Sequence, residues 1–225
     1  GILAPNGKIY FIPNFTEKIL EFNPDTFNIN YIDIIETGLN NKYYGAVLAP
    51  NGKIYFTPTN ASRILEFNPN TLTSQFVGST YNGTNKWISG TLAPNGKIYL
   101  APYNASQILE INPMTSTTQL VGSVYTNSGK CFGGVLAPNG KIYFSPVNAS
   151  QILELDPNTL ITQLIGRAHI NLDKLNSGTL APNGKIYLAP RNISQVVQLD
   201  NINNSYIIGG DMLIPTNLAD LPTSN

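Results

Sequence analysis

In 225 residues the sequence has one cysteine, Cys131, and one histidine, His169. A single thiol excludes an internal disulfide framework and a cysteine zinc cluster. A single histidine excludes any site that needs two. Charge is scarce as well: 13 Lys and Arg face 13 Asp and Glu, and charged residues make up 12% of the chain, against about a quarter in ordinary soluble domains. With zero net charge there is no excess of basic residues to neutralise phosphates, so nucleic acid is not an expected partner. No apolar run approaches the roughly 20 residues of a membrane-spanning helix, so direct membrane insertion is not expected either. No cofactor and no metal are expected.

The chain is nonetheless 42% hydrophobic, enough to bury a sizeable core rather than remain disordered. An internal repeat organises it. The string Leu-Ala-Pro-Asn-Gly-Lys-Ile-Tyr occurs five times, with its alanines at Ala4, Ala49, Ala93, Ala137 and Ala181. The first spacing is 45 residues and the next three are 44. No linker, charge block or low-complexity stretch interrupts the series. The expectation is one domain over 1–225, with units near 1–45, 46–89, 90–133, 134–177 and 178–225.

The fourth unit shows the local grammar. Gly134 to Pro138 is a short apolar run, followed by Asn139-Gly140, a strong hairpin signal that predicts a type I′ turn. Lys141 to Pro146 alternates and is rich in β-formers. Asn148-Ala149-Ser150 reads as a second turn. Gln151 to Asp156 is a third strand and Pro157-Asn158-Thr159 a third turn. Leu160 to Ile165 is a fourth strand, closed by Gly166. A loop of about ten residues leads onward. Four antiparallel strands per unit of 40–50 residues, without a helix, are the pattern of a propeller blade. The predicted fold class is therefore all-β: a five-bladed β-propeller with four antiparallel strands per blade. A stacked solenoid is the rival, but its repeats are usually shorter or contain a helix. The chain ends are expected to meet by packing of whole blades, with residues 210–225 as an additional tie.

The Ala-Pro-Asn-Gly-Lys-Ile-Tyr-Phe segment resembles the Pro-Asp-Gly-x-Leu/Ile-Trp/Tyr-Phe hairpin of NHL-type and virginiamycin-B-lyase-like propellers, in all five units. The resemblance implies the propeller fold. For the lyases it also implies histidine and carboxylates around a metal near the axis, of which only His169 is available. The five even repeats also resemble the architecture of tachylectin-type lectins, which implies a similar sugar pocket at each blade or blade junction.

Variation between units is concentrated in the loops that join one blade to the next. Surface loops on a rigid frame are where binding residues gather. Lys42, Lys86, Lys130 and Lys174 stand in phase there, followed by Tyr43, Trp87, Cys131 and Leu175; Tyr44 and Phe132 add aromatics. One reading is structural, with these side chains plugging the gap between blades under lysine stems. The other is a ring of ligand pockets, in which aromatics stack on sugar faces and lysines donate hydrogen bonds. The candidate ligand-binding residues are thus Lys42, Tyr43, Tyr44, Lys86, Trp87, Lys130, Phe132 and Lys174, with Trp87 foremost. Tyr10, Tyr55, Tyr99, Tyr143 and Tyr187 repeat at one strand position and are expected to pack between blades. The in-phase lysines Lys8, Lys53, Lys97, Lys141 and Lys185 are expected to face Glu21, Glu66, Glu110 and Glu154 across neighbouring strands, with Gln198 breaking the glutamate series in the last unit.

Sequons recur at Asn14, Asn60, Asn104, Asn148 and Asn192. They serve either as Asn–Ser turns bonding nearby backbone or, after a eukaryotic secretory route, as glycosylation sites. Near-identical units favour equivalent binding sites over one active site, so no catalytic residues are assigned. The expected function is a non-enzymatic recognition or assembly module, extracellular or surface-exposed, with glycans as ligand. The alternative is a structural protein of an extracellular or virion surface that binds protein partners. A propeller lyase or glycosidase, the latter with paired carboxylates, ranks below both.

Overall fold

The structure, a computed structural model, describes residues 1–35, 38, 40–166, 175–192, 196–202 and 205–208, with backbone alone for 200–202 and 205–208. Among these residues every element is a strand. The first sheet holds β1 (Ile2–Leu3), β2 (Ile9–Phe11), β3 (Lys18–Phe22) and β4 (Ile29–Asp33). The second holds β5 (Tyr43–Leu48), β6 (Ile54–Pro58), β7 (Ile64–Asn68) and β8 (Thr73–Val77). The third holds β9 (Trp87–Leu92), β10 (Ile98–Pro102), β11 (Ile108–Asn112) and β12 (Thr117–Val121). The fourth holds β13 (Cys131–Leu136), β14 (Ile142–Pro146), β15 (Ile152–Leu155) and β16 (Thr162–Ile165). The fifth holds β17 (Leu175–Leu180), β18 (Ile186–Pro190), β19 (Val197–Ile202) and β20 (Ser205–Ile208). Each sheet keeps its strands in chain order, and all pairs are antiparallel. The expected meander therefore repeats in every unit.

Blades stack through opposite faces. The trailing face of the first blade (Ala4, Tyr10, Ile19 and Ile32) packs on the leading face of the second (Ile54, Phe56, Leu65 and Phe67). The same pairing recurs at the next three junctions. Burial of each such side chain stabilises by roughly 1.5–3 kcal/mol. The first strands β5, β9, β13 and β17 adjoin one another in succession and form the inner wall. Gly45 shows how close they come. A Cβ there would stand 2.6 Å from the Ile88 carbonyl oxygen, so only glycine fits.

The Asn-Gly turns differ from the type I′ expectation. The Gly140 amide donates to the Ala137 carbonyl (2.9 Å), and the Ala137 amide donates to the Lys141 carbonyl (2.9 Å). Gly140 has φ 80°, but Asn139 is not among the residues with positive φ. This is a type I turn with proline at its second position, followed by a left-handed glycine. Pro138 holds the turn in the type I form, and the Asn139 side chain is left to bond instead of strain.

That side chain enters a buried network. Asn51 Nδ2 donates to Tyr55 Oη (2.9 Å) and to the Pro113 carbonyl of the next blade (3.1 Å). Tyr55 Oη donates to Glu66 Oε2 (2.8 Å), while Lys53 Nζ reaches Glu66 Oε1 at 2.6 Å. Gln75 Nε2 donates to the same Oε1 at 2.8 Å. The first and third blades repeat the Asn–Tyr–Glu–Lys set, with Pro69 and Pro157 as the carbonyls reached. Tyr10, Tyr55, Tyr99 and Tyr143 are 0–1% exposed, as expected of residues packed between blades. Lys141 pairs with Glu154 in the fourth blade. Burial alone would raise the Glu66 carboxyl, but hydrogen bonds from Lys53, Tyr55 and Gln75 outweigh it and hold the group below the ordinary carboxylate value. Burial, with the facing Glu66, drives Tyr55 well above the usual phenol value.

One face is not covered. Phe11 stands where Phe56, Leu100, Phe144 and Leu188 are all 0% exposed, yet it is 41% exposed. Leu3 beside it is 62% exposed. The expected tie between the chain ends through residues 210–225 lies outside the described residues.

Two outcomes follow from this frame. Gly140→Ala should lower stability by about 1–2 kcal/mol, because alanine strains at positive φ; chemical denaturation measures it, and no change would contradict the turn assignment. Glu66→Gln should cost about 1–3 kcal/mol at pH 7 by leaving Lys53 and Tyr55 underpaired. The lowered Glu66 value stabilises the fold above the unfolded carboxyl value near pH 4.5 and is lost as pH falls through the folded one. The gap between wild type and variant in urea midpoints should therefore narrow below that pH.

Candidate functional site

The blade-to-blade loops begin where each fourth strand ends and return at the in-phase lysines. A register shift in the following pair, between Tyr43 and Ala46 in the second blade, marks a bulge. Equivalent shifts follow Trp87, Cys131 and Leu175. A bulge turns a side chain away from the strand's regular alternation. Here it separates the residue directly after the lysine, which goes under the loop, from the next one, which goes elsewhere.

The lysines are buried, with Lys42, Lys86 and Lys130 at 1%, 3% and 4% exposure. Their backbones knit neighbouring blades. The Lys86 amide donates to the Thr59 carbonyl of the second blade (3.0 Å), and its carbonyl accepts from Tyr103 (2.9 Å) and Ala105 (3.2 Å) of the third. Lys86 Nζ donates to the carbonyls of Gly83 (2.8 Å) and Thr59 (3.2 Å). Lys130 Nζ donates to the Asn127 carbonyl. Burial pushes the Lys86 amine down to about 8, and burial lowers Lys130 as well. Lys174 lies outside the described residues, as does His169.

The residues after the lysines are buried too. Tyr43 is 0% exposed, Trp87 2% and Cys131 1%. Trp87 Nε1 donates to the Gln107 carbonyl (3.0 Å), and its ring meets Tyr81 edge-on at 5.2 Å. A ring so enclosed offers almost no face for stacking. Burial raises the Cys131 thiol to about 12, so it is a packed, unreactive group. Tyr44 is half exposed and its ring meets Phe132 at 5.8 Å in an edge-to-face pair. These two come from the second and fourth blades, which are not neighbours, so they meet across the inner wall. The structure brings Tyr44 and Phe132 to each other and not to the junction loops.

Two cavities do lie at the junctions. One, about 430 Å³, is lined by Tyr81, Asn82, Lys86, Trp87, Ser106 and Leu120 among others. The other, about 220 Å³, is lined by Tyr125, Thr126, Asn127, Lys130, Ser150 and Leu164 among others. Tyr81, Lys86, Ser106 and Leu120 match Tyr125, Lys130, Ser150 and Leu164 at a constant step of 44 residues. The two cavities are thus one site repeated in consecutive blades. Each tyrosine is fixed by the outer strand of the following blade: Tyr81 and Thr118 share a hydroxyl hydrogen bond of 2.8 Å, and Tyr125 donates to Thr162 Oγ1 at 3.3 Å. Tyr81, Tyr125, Leu120 and Leu164 were not singled out from the sequence. The in-phase Gly-Ser-x-Tyr of residues 78–81 and 122–125 was the available signal.

The sequon asparagines work as turn braces. Asn60 Oδ1 accepts from the Asn85 amide (2.9 Å) and Asn60 Nδ2 donates to the Asn40 carbonyl (3.1 Å). Asn104 repeats this with the Gly129 amide (2.9 Å) and the Thr84 carbonyl (3.3 Å). Asn14, Asn60 and Asn148 are half-buried; Asn104 and Asn192 are exposed. Among the described residues no group of three or more His, Cys, Asp or Glu is placed to hold a metal.

No family model matches the sequence, and no curated protein matches it. Solved structures do match, and they are propellers of low identity. Virginiamycin B lyase from Staphylococcus aureus superposes with a TM-score of 0.75 at 13% identity, over 89% of this chain and 65% of that one. A streptogramin B lyase gives 0.73 at 18%, over 92% of this chain and 66% of that one. An auxiliary nutrient binding protein from Bacteroides ovatus gives 0.61 at 16%, over 89% and 54%. The chain spans just under two thirds of the length of these lyases. At such identities the likeness shows the fold, a β-propeller of the kind that includes virginiamycin B lyase.

The buried lysine sets a pH dependence. Below pH 8 Lys86 is charged in both folded and unfolded chains, and folding bears the full cost of burying that charge. Between about 8 and the ordinary lysine value of 10.5 the unfolded chain holds more protons, so stability rises with pH. Lys86→Met should remove that rise. Denaturation curves at pH 7.5 and 9.5 measure it, and an identical rise in the variant would contradict the burial.

Proposed function

We propose that this chain is a non-enzymatic recognition module whose ligands are glycans, bound at the repeated junction cavities on the long-loop face. The observation that carries this reading is the pair of cavities with matching linings one repeat apart. Each combines a tyrosine, an apolar rim residue from the outer strand, a serine hydroxyl and loop amides or hydroxyls. Mixed aromatic and hydrogen-bonding surfaces of this kind suit a sugar, which presents apolar ring faces and polar edges. Tyr81 and Tyr125, with Leu120 and Leu164, take the contact role first given to Trp87. Lys86 and Lys130 form the floor and hold the loops in shape. Two or more weak sites on one rigid frame reach useful strength through multivalency.

The five blades serve as the frame for this site. The buried carboxylates Glu21, Glu66, Glu110 and Glu154 are each held by a lysine. That occupation supports a binding role over acid–base chemistry. An extracellular or surface location fits such a role, and solved neighbours include an auxiliary nutrient binding protein and the extracellular domains of a putative one component system and a putative hybrid two component system. The second reading, a surface assembly protein that binds protein partners, is favoured by exposed Val124, Ile161 and Leu164.

A glycan array separates the two. The chain should bind a family of multivalent glycans, and Tyr81→Ala with Tyr125→Ala should lower that avidity at least tenfold while leaving unfolding cooperative. Silence across a broad array, or undiminished binding by the double variant, would overturn the assignment.

A further inference from the structure

The leading face of the first blade carries the residues of an interior face. Ile9, Phe11, Leu20 and Phe22 stand in phase with Ile54, Phe56, Leu65 and Phe67 of the second blade. The second-blade set is 0% exposed throughout. In the first blade Phe11 is 41% exposed and the other three are half-buried. Beside them a cavity of about 380 Å³ is lined by Thr16, Glu17, Lys18, Leu20 and Tyr31. Glu17 and Tyr31 are the register equivalents of Ser106 and Leu120, which line the second-to-third-blade cavity. The first blade thus presents half of a junction site. The other half, a loop of the Tyr81-to-Lys86 type, always comes from the blade before.

We propose that this face is covered by further blades of the same repeat, so that the five blades are an arc of a larger ring. The occupant is fixed by complementarity. At every described junction the leading Ile/Phe/Leu face receives a trailing face built from Tyr, Ile and the Ala of Ala-Pro-Asn-Gly. The far end agrees: Tyr187 and Val196 on the trailing side of the fifth blade are half-buried, where Tyr143 and Ile152 are 1% and 3% exposed. The size of the missing sector comes from the superposition. The matched 89% of 225 residues is about 200, and 65% coverage makes the lyase chain about 310 residues long. The remaining 110 or so are room for two units of 44. Over the matched residues the five blades follow the arrangement of that longer chain.

The test extends the chain at its N-terminus with two further copies of its own unit 90–133 and compares it with the 225-residue chain. The extension should raise Tm by several degrees. Phe11→Lys should lower Tm by several degrees in the extended chain, where the face is covered, and leave the 225-residue chain nearly unchanged. A one-unit extension repeats the comparison should the longer one not fold. Equal effects of Phe11→Lys in the short chain and in every extension that folds would overturn the proposal. So would a stable dimer of the 225-residue chain that Phe11→Lys dissociates, since the face would then belong to a second copy. Glycan binding at the Tyr81 and Tyr125 sites is read separately, so failure of one proposal does not touch the other.

Discussion

The tyrosine hydroxyl between blades is the interaction on which the rest depends. A phenol completely buried between two sheets needs a partner, because an unsatisfied polar group in the interior costs about 1–3 kcal/mol. Its oxygen donates to a glutamate of its own blade and sits within reach of a proline carbonyl of the next one. The glutamate then needs its own counter-charge, and the lysine two residues before the tyrosine supplies it. The Asn-Gly turn supplies the last donor. One short string therefore builds a strand, its turn and its bond to the neighbouring blade. This is why Leu-Ala-Pro-Asn-Gly-Lys-Ile-Tyr recurs while the long loops drift.

The loops are free to differ because the polar network lies at the opposite end of each blade. At the loop end a different set of bonds takes over, in which the lysine backbone is shared between adjacent blades and the sequon asparagine braces the turn. The bulge behind each lysine divides two roles. The first residue goes under the loop, where Tyr43, Trp87 or Cys131 all fit; the second reaches the inner wall, where Tyr44 meets Phe132. What remains for a ligand is the space between the loop tyrosine and the outer strand of the following blade.

Much of this was legible in the sequence. The 44-residue period and the alternating runs yielded the blades and the strand order, because strand signals here are local. The Lys–Glu pairs and buried tyrosines followed from register alone. The turn was misread because Asn-Gly carries the type I′ signal, whereas Pro138 before it requires negative φ and leaves only glycine left-handed. Lys42, Lys86 and Lys130 close the junction loops and Trp87 opens β9, but their burial depends on how the next blade caps them, which is a tertiary fact. Tyr81 and Leu120 come from a loop and an outer strand, and no single-unit pattern joins them. The exposed Phe11 could not be read at all, since its sequence context is that of an interior residue.

The central claim is that one binding site repeats around a shared frame. Ligand stoichiometry tests it most directly. Native mass spectrometry of the chain with a glycan identified on the array should show at least two ligands bound per chain, each released unchanged. A single bound ligand, or one recovered chemically altered, would contradict the account and point to one specialised site.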